Sequence, residues 1–154
     1  MLIPILMLVL LVLPWAAASA RGQPAAQQER AGRFGIMTMF MFTGLGHFTS
    51  TAAIAALIPP TVPWPVPIVY VTGLLEIILG LAVTVPKRQA MAGRALISLL
   101  LAFIPINVYG AIYHVPSGGH ECGTAYLLVR IPLQLIIVAW VYRFTLQSSS
   151  AAAS

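Results

Sequence analysis

The chain has 154 residues, of which 60% are hydrophobic and only 7% are charged. A soluble globular domain carries roughly 25% charged residues, so this composition excludes an ordinary soluble protein and indicates an integral membrane protein. The net charge of +5 does not indicate a nucleic-acid-binding protein, because the basic residues lie at the ends of apolar segments and form no patch. The single cysteine, Cys122, excludes a dithiol redox centre within one chain.

Five apolar segments follow one another, and all are predicted to be helices because a bilayer leaves unpaired backbone groups without water. The first, Leu2–Ala18, is a marginal span at about 17 residues. The other four are Phe34–Leu57, Val66–Val85, Ala95–Tyr113 and Thr124–Phe144. The predicted fold class is therefore all-α: a transmembrane four-helix bundle over residues 33–146, with an additional N-terminal hydrophobic helix or signal segment. The Ser/Ala-rich tail, residues 147–154, is predicted to be disordered.

The N-terminal segment, residues 1–20, has two interpretations. The sequence Ala18-Ser19-Ala20 resembles a signal-peptidase site, which favours a cleaved signal. No basic residue precedes the apolar run, however, and cleavage would invert the topology that the rest of the chain indicates. An uncleaved extra helix with its N-terminus outside is therefore the favoured interpretation.

Lysine and arginine residues predict the orientation, because cytoplasmic loops carry an excess of both. Seven of the eight fall on one side of a bundle of four antiparallel helices. They are Arg21, Arg30, Arg33, Lys87, Arg88, Arg94 and Arg143. The core domain is thus predicted to have its N-terminus and its C-terminus in the cytoplasm. The predicted location is multi-pass in a membrane, which is the cell membrane if the chain is bacterial.

Each core helix contributes at least one polar side chain at a similar predicted depth. At about 1.5 Å per residue, Glu76 lies roughly 15 Å into its segment, near the bilayer midplane. The other members lie between the midplane and the outer third. The full set is His47, Glu76, Asn107, Arg130 and Gln134. Polar residues at this depth face the bundle interior or a wet cavity, so a polar pocket that opens outward is predicted.

Glu76 is the residue on which this prediction depends. Gly73 and Gly80 share its helix face and would let another helix approach closely. Its predicted partner is Arg130, and His47 is the predicted proton carrier, because histidine changes charge near neutral pH. A purely structural pair that fixes the packing of the helices is one interpretation. The other three are a ligand or quinone headgroup site, an ion or proton path, and a partner-binding face.

Zinc binding is not predicted. A zinc site needs three or four protein ligands, and the spacing of the available histidine, glutamate and cysteine residues matches no zinc motif. The sequence His120-Glu121-Cys122 is interpreted as an ordinary polar loop.

Four short motifs, one in each core helix, are similar to those of a known family. They are GLGHF (Gly44–Phe48), GLLEIILGLAV (Gly73–Val83), FIPINVYGA (Phe103–Ala111) and RIPLQ (Arg130–Gln134). Together they resemble the DoxX-like family of small multi-pass membrane proteins, over about Arg33–Phe144. The resemblance implies a compact four-helix transmembrane bundle. Members of that family include a subunit associated with thiosulfate–quinone oxidoreduction, a methylamine-utilisation protein and an animal chaperone for nicotinic receptors.

The resemblance and the pocket together favour an accessory membrane subunit that acts with a redox or assembly partner and binds a small polar or quinone-like molecule. Three alternatives remain: a membrane-protein chaperone, a small transporter, and an enzyme that uses His47 or Glu76 as a base. Catalysis is not the favoured function, because no nucleophile–base pair, phosphate loop or dinucleotide fingerprint occurs. The lipid bilayer is the partner that composition itself predicts, and the sequence identifies no cofactor.

Overall fold

The computed structural model describes residues 2–147, and the regular structure of this part of the chain is helical, with no β-strand. Six α-helices follow one another: α1 (Leu2–Ala20), α2 (Ala25–Thr49), α3 (Thr51–Ala55), α4 (Pro65–Ala82), α5 (Gln89–Ile112) and α6 (Leu127–Tyr142). A 3-10 segment, His120–Tyr126, precedes α6, and a π-helical turn, Arg143–Gln147, follows it. The predicted all-α fold class is confirmed.

Four helical stretches within residues 2–147 are long and apolar enough to cross a membrane: α1, α4, α5 and His120–Gln147, which contains α6. The protein is therefore a multi-pass membrane protein, and large apolar side chains such as Ile78 and Leu128 face outward, where lipid would contact them. Helix α2 is not among the four, since its first half carries Glu29, Arg30 and Arg33. It nevertheless belongs to the bundle, because it packs along both α1 and α4.

Several helix ends differ from the predicted segments. The segment predicted from Phe34 to Leu57 is divided at Ser50, whose backbone (φ −125°, ψ 31°) leaves the helical region, so α3 is a separate short helix. Helix α5 already begins at Gln89, because only a tight turn separates it from α4. Of the tail that was predicted to be disordered, Gln147 ends the π-helical turn, and residues 148–154 lie outside the described residues.

Helix α1 is an integral part of the bundle. Leu11 is completely buried, and Met7 is buried beside it. The close approach of α1 to α2 requires glycine at position 35, because a Cβ atom there would collide with the backbone oxygen of Leu11. The Thr38 hydroxyl adds a hydrogen bond to the carbonyl oxygen of Leu10, at 3.2 Å. In this structure, the N-terminal hydrophobic segment packs as a bundle helix.

One half of the bundle has a continuous apolar core, and we call it the packed half. Its fully or almost fully buried side chains come from α1, α2, α5 and α6 and include Leu11, Ile36, Leu96, Ile137 and Val141. The π-helical turn closes this half, since Thr145 packs against Gly93 and Phe144 packs against Gly32. The basic residues predicted to share one side of the membrane lie on elements at this end.

Candidate functional site

A cavity of about 690 Å³ occupies the other half of the bundle, which we call the cavity half. It is lined by the first turns of α1 and α6, the N-terminal two thirds of α4, the C-terminal halves of α2 and α5, and α3, and the loop containing Ser117 and Gly118 covers part of it. Most of the lining is apolar, with aromatic contributions from Phe40 and Phe103. Pockets that bind small organic molecules have volumes of roughly 300–1,000 Å³, so this cavity could hold one.

Two glycines build the wall between α2 and α4. A Cβ atom on Gly73 would lie 2.5 Å from the Cβ of His47 and 3.0 Å from the backbone oxygen of Gly44. A Cβ atom on Gly44 would lie 2.8 Å from the backbone oxygen of Gly73. The helices come this close because neither residue has a side chain. As a result, His47 on α2 reaches Glu76 on α4.

His47 and Glu76 form one of two polar clusters on the cavity wall. The Nε2 of His47 lies 3.6 Å from Oε1 of Glu76. The other ring nitrogen, Nδ1, lies 3.0 Å from the backbone oxygen of Val69 and 3.1 Å from the hydroxyl oxygen of Thr72. The Val69 oxygen can only accept a hydrogen bond, whereas the Thr72 hydroxyl can accept or donate, so a bond to Val69 requires a hydrogen atom on Nδ1.

The position of that hydrogen limits how His47 and Glu76 can share a proton. If Nδ1 carries a hydrogen and the imidazole is neutral, Nε2 is an acceptor and faces a carboxyl oxygen. An ionised carboxylate would then place two acceptors opposite each other. The 3.6 Å between Nε2 and Oε1 is an ion-pair distance and longer than a hydrogen bond, and one proton, held by the carboxylic acid or by the imidazolium, would remove this repulsion. In both cases the pair has no net charge, and we call it the proton-sharing pair.

The second carboxyl oxygen of Glu76 is buried without a hydrogen bond. The residue is only 3% exposed, and within residues 2–147 no group bonds to its Oε2. The Thr43 hydroxyl lies near the carboxyl group but donates to the Phe40 carbonyl oxygen at 3.4 Å. A buried polar atom without a partner is costly. Glu76 also lines the cavity, so a ligand with a hydrogen-bonding group could satisfy it after a small movement of the side chain.

Asn107 organises the second polar cluster. Its Oδ1 accepts a hydrogen bond from Nε of Arg130 at 3.2 Å, and Nε2 of His120 lies 3.2 Å from the same oxygen. Its Nδ2 donates to the backbone oxygen of Phe103 at 2.8 Å. The opposite ring nitrogen of His120 lies 2.6 Å from the backbone oxygen of Ser117. The loop that covers the cavity is thereby tied to α5 and α6.

Arg130 has no ionic partner in the part of the chain that the structure describes, because no carboxylate there lies within 4.0 Å of its guanidinium group. The ion pair predicted between Arg130 and Glu76 is therefore not formed. The Gly44–Gly73 contact brings His47 to Glu76 instead, and Asn107 binds the Nε of Arg130. The remaining contact of the guanidinium group is between Nη1 and the thioether sulfur of Met7, at 3.8 Å.

The structure places four of the five residues of the predicted polar cluster on the wall of one cavity: His47, Glu76, Asn107 and Arg130. Gln134 does not line it. That side chain is 3% exposed, and its Nε2 donates to the backbone oxygen of Leu100, so it lies between α5 and α6. Gln134 lies one turn further along α6 than Arg130, toward the packed half, which puts it below the floor of the cavity.

His120 and Met7 are site residues that the sequence analysis did not include in the cluster. Gly118 and Gly119 have positive φ angles of 62° and 108°, so the loop turns back over the cavity and carries His120 to Asn107. The sequence Gly118-Gly119 predicts a turn, but it does not indicate which residues the turn contacts. Met7 reaches Arg130 only because α1 packs against the bundle.

The cavity offers a ligand hydrogen bonds and one positive charge. Within residues 2–147, no group of three or more His, Cys, Asp or Glu side chains is arranged to hold a metal ion. Its two polar clusters project from a mainly apolar wall. Such a site suits a molecule with an apolar body and a polar head.

Most of the chain, residues 36–145, matches the model of a protein family described as a domain of unknown function, DUF8561. No curated protein and no solved structure is significantly similar to the chain. The matched region extends from α2 to the π-helical turn and includes every cavity residue discussed above except Met7. The protein is a member of this family of domains of unknown function.

Proposed function

We propose that this protein is an integral membrane accessory subunit that binds a small, mainly apolar molecule with a polar head in the cavity, and a quinone-like molecule is one example of such a ligand. The observation that carries the proposal is the presence of two polar clusters on the apolar wall of a single cavity of about 690 Å³. The DoxX-like motifs support it further, because that family includes a subunit associated with quinone reduction.

The two clusters suit the two kinds of polar group that such a head presents. A carbonyl oxygen can accept hydrogen bonds from the guanidinium group of Arg130, which has free donors. A hydroxyl group can donate to Oε2 of Glu76, which has no partner. Aromatic side chains such as Phe103 line the space between and suit a flat ring.

The packed half favours binding over transport across the membrane. Fully buried side chains such as Leu11, Ile36 and Ile137 fill it. A transporter needs a polar path through both halves, whereas this cavity ends at an apolar core.

The orientation is a second part of the proposal: the cavity half faces outward, and the termini of the core domain lie in the cytoplasm. The basic residues at the packed end support this arrangement. Cys122 provides the test, because it is the single cysteine and is exposed at the cavity end. A membrane-impermeant maleimide should label intact cells that express the protein, and the Cys122→Ser, Arg88→Cys variant should be labelled only after lysis. The reverse pattern would refute the orientation.

The binding proposal is tested by mass spectrometry of lipid extracts from the purified protein. We expect a stoichiometric lipid-soluble molecule in the natural protein and its loss in the Asn107→Leu, Arg130→Leu double variant. The matched control is Arg94→Leu, which removes an exposed arginine of α5 far from the cavity. An extract without such a molecule, combined with no binding of an added short-chain benzoquinone, would contradict the proposal.

A further inference from the structure

The cavity wall carries one arginine, Arg130, that has no ion-pair partner within residues 2–147. The guanidinium group of Arg130 stays protonated in proteins. Among residues 2–147 it has no carboxylate within 4.0 Å, and its polar contacts are Asn107, which is neutral, and the Met7 sulfur. A thioether is a weak hydrogen-bond acceptor, so the outer nitrogens of Arg130 have no strong partner.

The nearby carboxyl group forms no ion pair with Arg130, because it faces Nε2 of His47 at 3.6 Å. With a hydrogen atom on Nδ1 of His47, one further proton, held by the imidazole or by the carboxyl group, leaves the proton-sharing pair without net charge. Arg130 is then the charged residue of the cavity wall that has no ion-pair partner within the described residues.

An unbalanced charge is costly in this environment. The cavity has a mainly apolar lining and lies among helices that are apolar enough to cross a membrane. A charge taken out of water into such surroundings is normally paired. Arg130 lines the cavity and is partly accessible there, so the partner can come from the cavity itself.

We infer that the natural occupant of the cavity is an amphipathic anion: an apolar body with one negatively charged oxygen group that binds the outer nitrogens of Arg130. A carboxylate or a phosphate fits the planar donor pattern of a guanidinium group. The neutral proton-sharing pair does not repel such a group. This inference rests on the proposed ligand site and narrows the class of its ligand from polar heads in general to anionic ones.

The test compares molecules that have the same alkyl chain and different heads. Radiolabelled dodecanoate, dodecyl phosphate and dodecanol are titrated at mildly alkaline pH against the protein in phosphatidylcholine nanodiscs, with protein-free nanodiscs as the background. We expect at least one of the two anions to bind about tenfold more tightly than the alcohol, or better. Preference for dodecanoate indicates a fatty-acid-like ligand, and preference for dodecyl phosphate indicates a lipid phosphate.

Two variants test whether Arg130 causes the preference for anions over dodecanol. In Arg130→Gln we expect the anions to lose their advantage over dodecanol. In Arg94→Gln, which neutralises an exposed arginine on α5, the advantage should be unchanged. If Arg130→Gln does not fold, the comparison of the three head groups in the natural protein still tests whether the cavity prefers an anion.

The possible failures are distinguishable. If dodecanol binds as tightly as both anions, the inference about charge is wrong and the proposed ligand site stands. If none of the three molecules binds above the protein-free background, and a short-chain benzoquinone does not bind either, both the inference and the proposed function are wrong. If the anions keep their advantage in a folded Arg130→Gln protein, Arg130 is not the group that selects them.

Discussion

The two halves of the bundle use similar residues for opposite purposes. In the packed half, glycines allow side chains and backbone to fill all the space: Thr145 packs against Gly93, and the backbone at Leu11 packs against Gly35. In the cavity half, the contact between Gly44 and Gly73 joins two helices along one wall, while the volume beside them stays open.

The polar side chains of the two halves differ in whether they can carry a charge. His47, Glu76, Asn107 and Arg130 border the cavity, and three of these four can be charged. The packed half has an apolar core, and its buried polar side chains, Gln89, Gln134 and Thr145, are uncharged. We infer that the packed half supplies most of the stability. The polar groups of the cavity half lower the free energy of unfolding and serve ligand binding. The comparison predicts that substitutions in the two halves will have different effects.

The largest effect is expected from Gly35→Ala in the packed half. The new methyl group would collide with the backbone oxygen of Leu11, and a backbone atom cannot move to another rotamer. Overpacking of a core costs about 1–3 kcal/mol, and a contact with backbone should reach or exceed the upper value. The measurement is thermal unfolding in detergent, followed by circular dichroism, together with the yield of monodisperse protein.

The matched control is Gly46→Ala in the same helix. A Cβ atom at Gly46 would have no heavy atom within 4 Å. Alanine is favoured over glycine inside a helix by roughly 0.5–1 kcal/mol, so this variant should be as stable as the natural protein or slightly more stable. Equal stability of the Gly35→Ala and Gly46→Ala variants would show that α1 does not pack on α2 in this way.

A smaller effect is expected from separating the proton-sharing pair. The single variants His47→Gln and Glu76→Gln should each lower stability, and the double variant should lose less than their sum. Residues in contact show interaction energies of about 0.5–3 kcal/mol in such cycles. The same cycle for Glu76 and Arg130 should give a smaller value, since their side chains form no ion pair in the structure. A larger coupling for Glu76 with Arg130 would restore the pairing that the sequence predicts.

The third effect concerns the polar cluster around Asn107. Asn107→Leu removes the acceptor of the Arg130 Nε and the polar partner of His120, and it leaves the Arg130 Nε unsatisfied. Leaving a buried polar group unpaired costs about 1–3 kcal/mol, and more for a charged group. The control Thr84→Val removes an exposed hydroxyl whose hydrogen bond lies within its own turn, and should change stability little. Similar unfolding temperatures for the two variants would contradict this role for Asn107.

The smallest effect on binding is expected from Gln134→Met. Gln134 does not line the cavity, so the affinity for any cavity ligand should stay within about twofold of the natural value. Its Oε1 has no hydrogen-bond partner within the described residues, so losing the amide should also cost little stability, about 1 kcal/mol or less. A large loss of binding would mean that the cavity extends further into the bundle than the structure shows.

The fold and part of the site could be predicted because both follow from local properties of the chain. Apolar runs of sufficient length define the helices. Counting residues along each helix placed His47, Glu76, Asn107 and Arg130 at similar depths. The predicted depth could not exclude Gln134, since it shares a helix face with Arg130 and differs by only one turn in height, which is enough to put it below the floor of the cavity.

The pairing inside the cavity could not be predicted in the same way. It depends on how closely α2 and α4 approach, which the contact of Gly44 with Gly73 determines only after the helices have packed. Charge alone predicts an ion pair between Glu76 and the permanently charged Arg130. The packing of the helices instead places Glu76 beside His47. The contribution of the loop residue His120 was also hidden, because it depends on the path of the loop over the cavity.

The place of α1 beside the cavity has a practical consequence for experiments. Ile3 and Met7 are lining residues, so the first two turns of α1 form one side of the opening. An affinity tag or a fusion partner attached at the N-terminus would lie beside that opening and could block it or enter it. Assays of ligand binding should therefore use proteins that are tagged behind the π-helical turn, at the opposite end of the bundle.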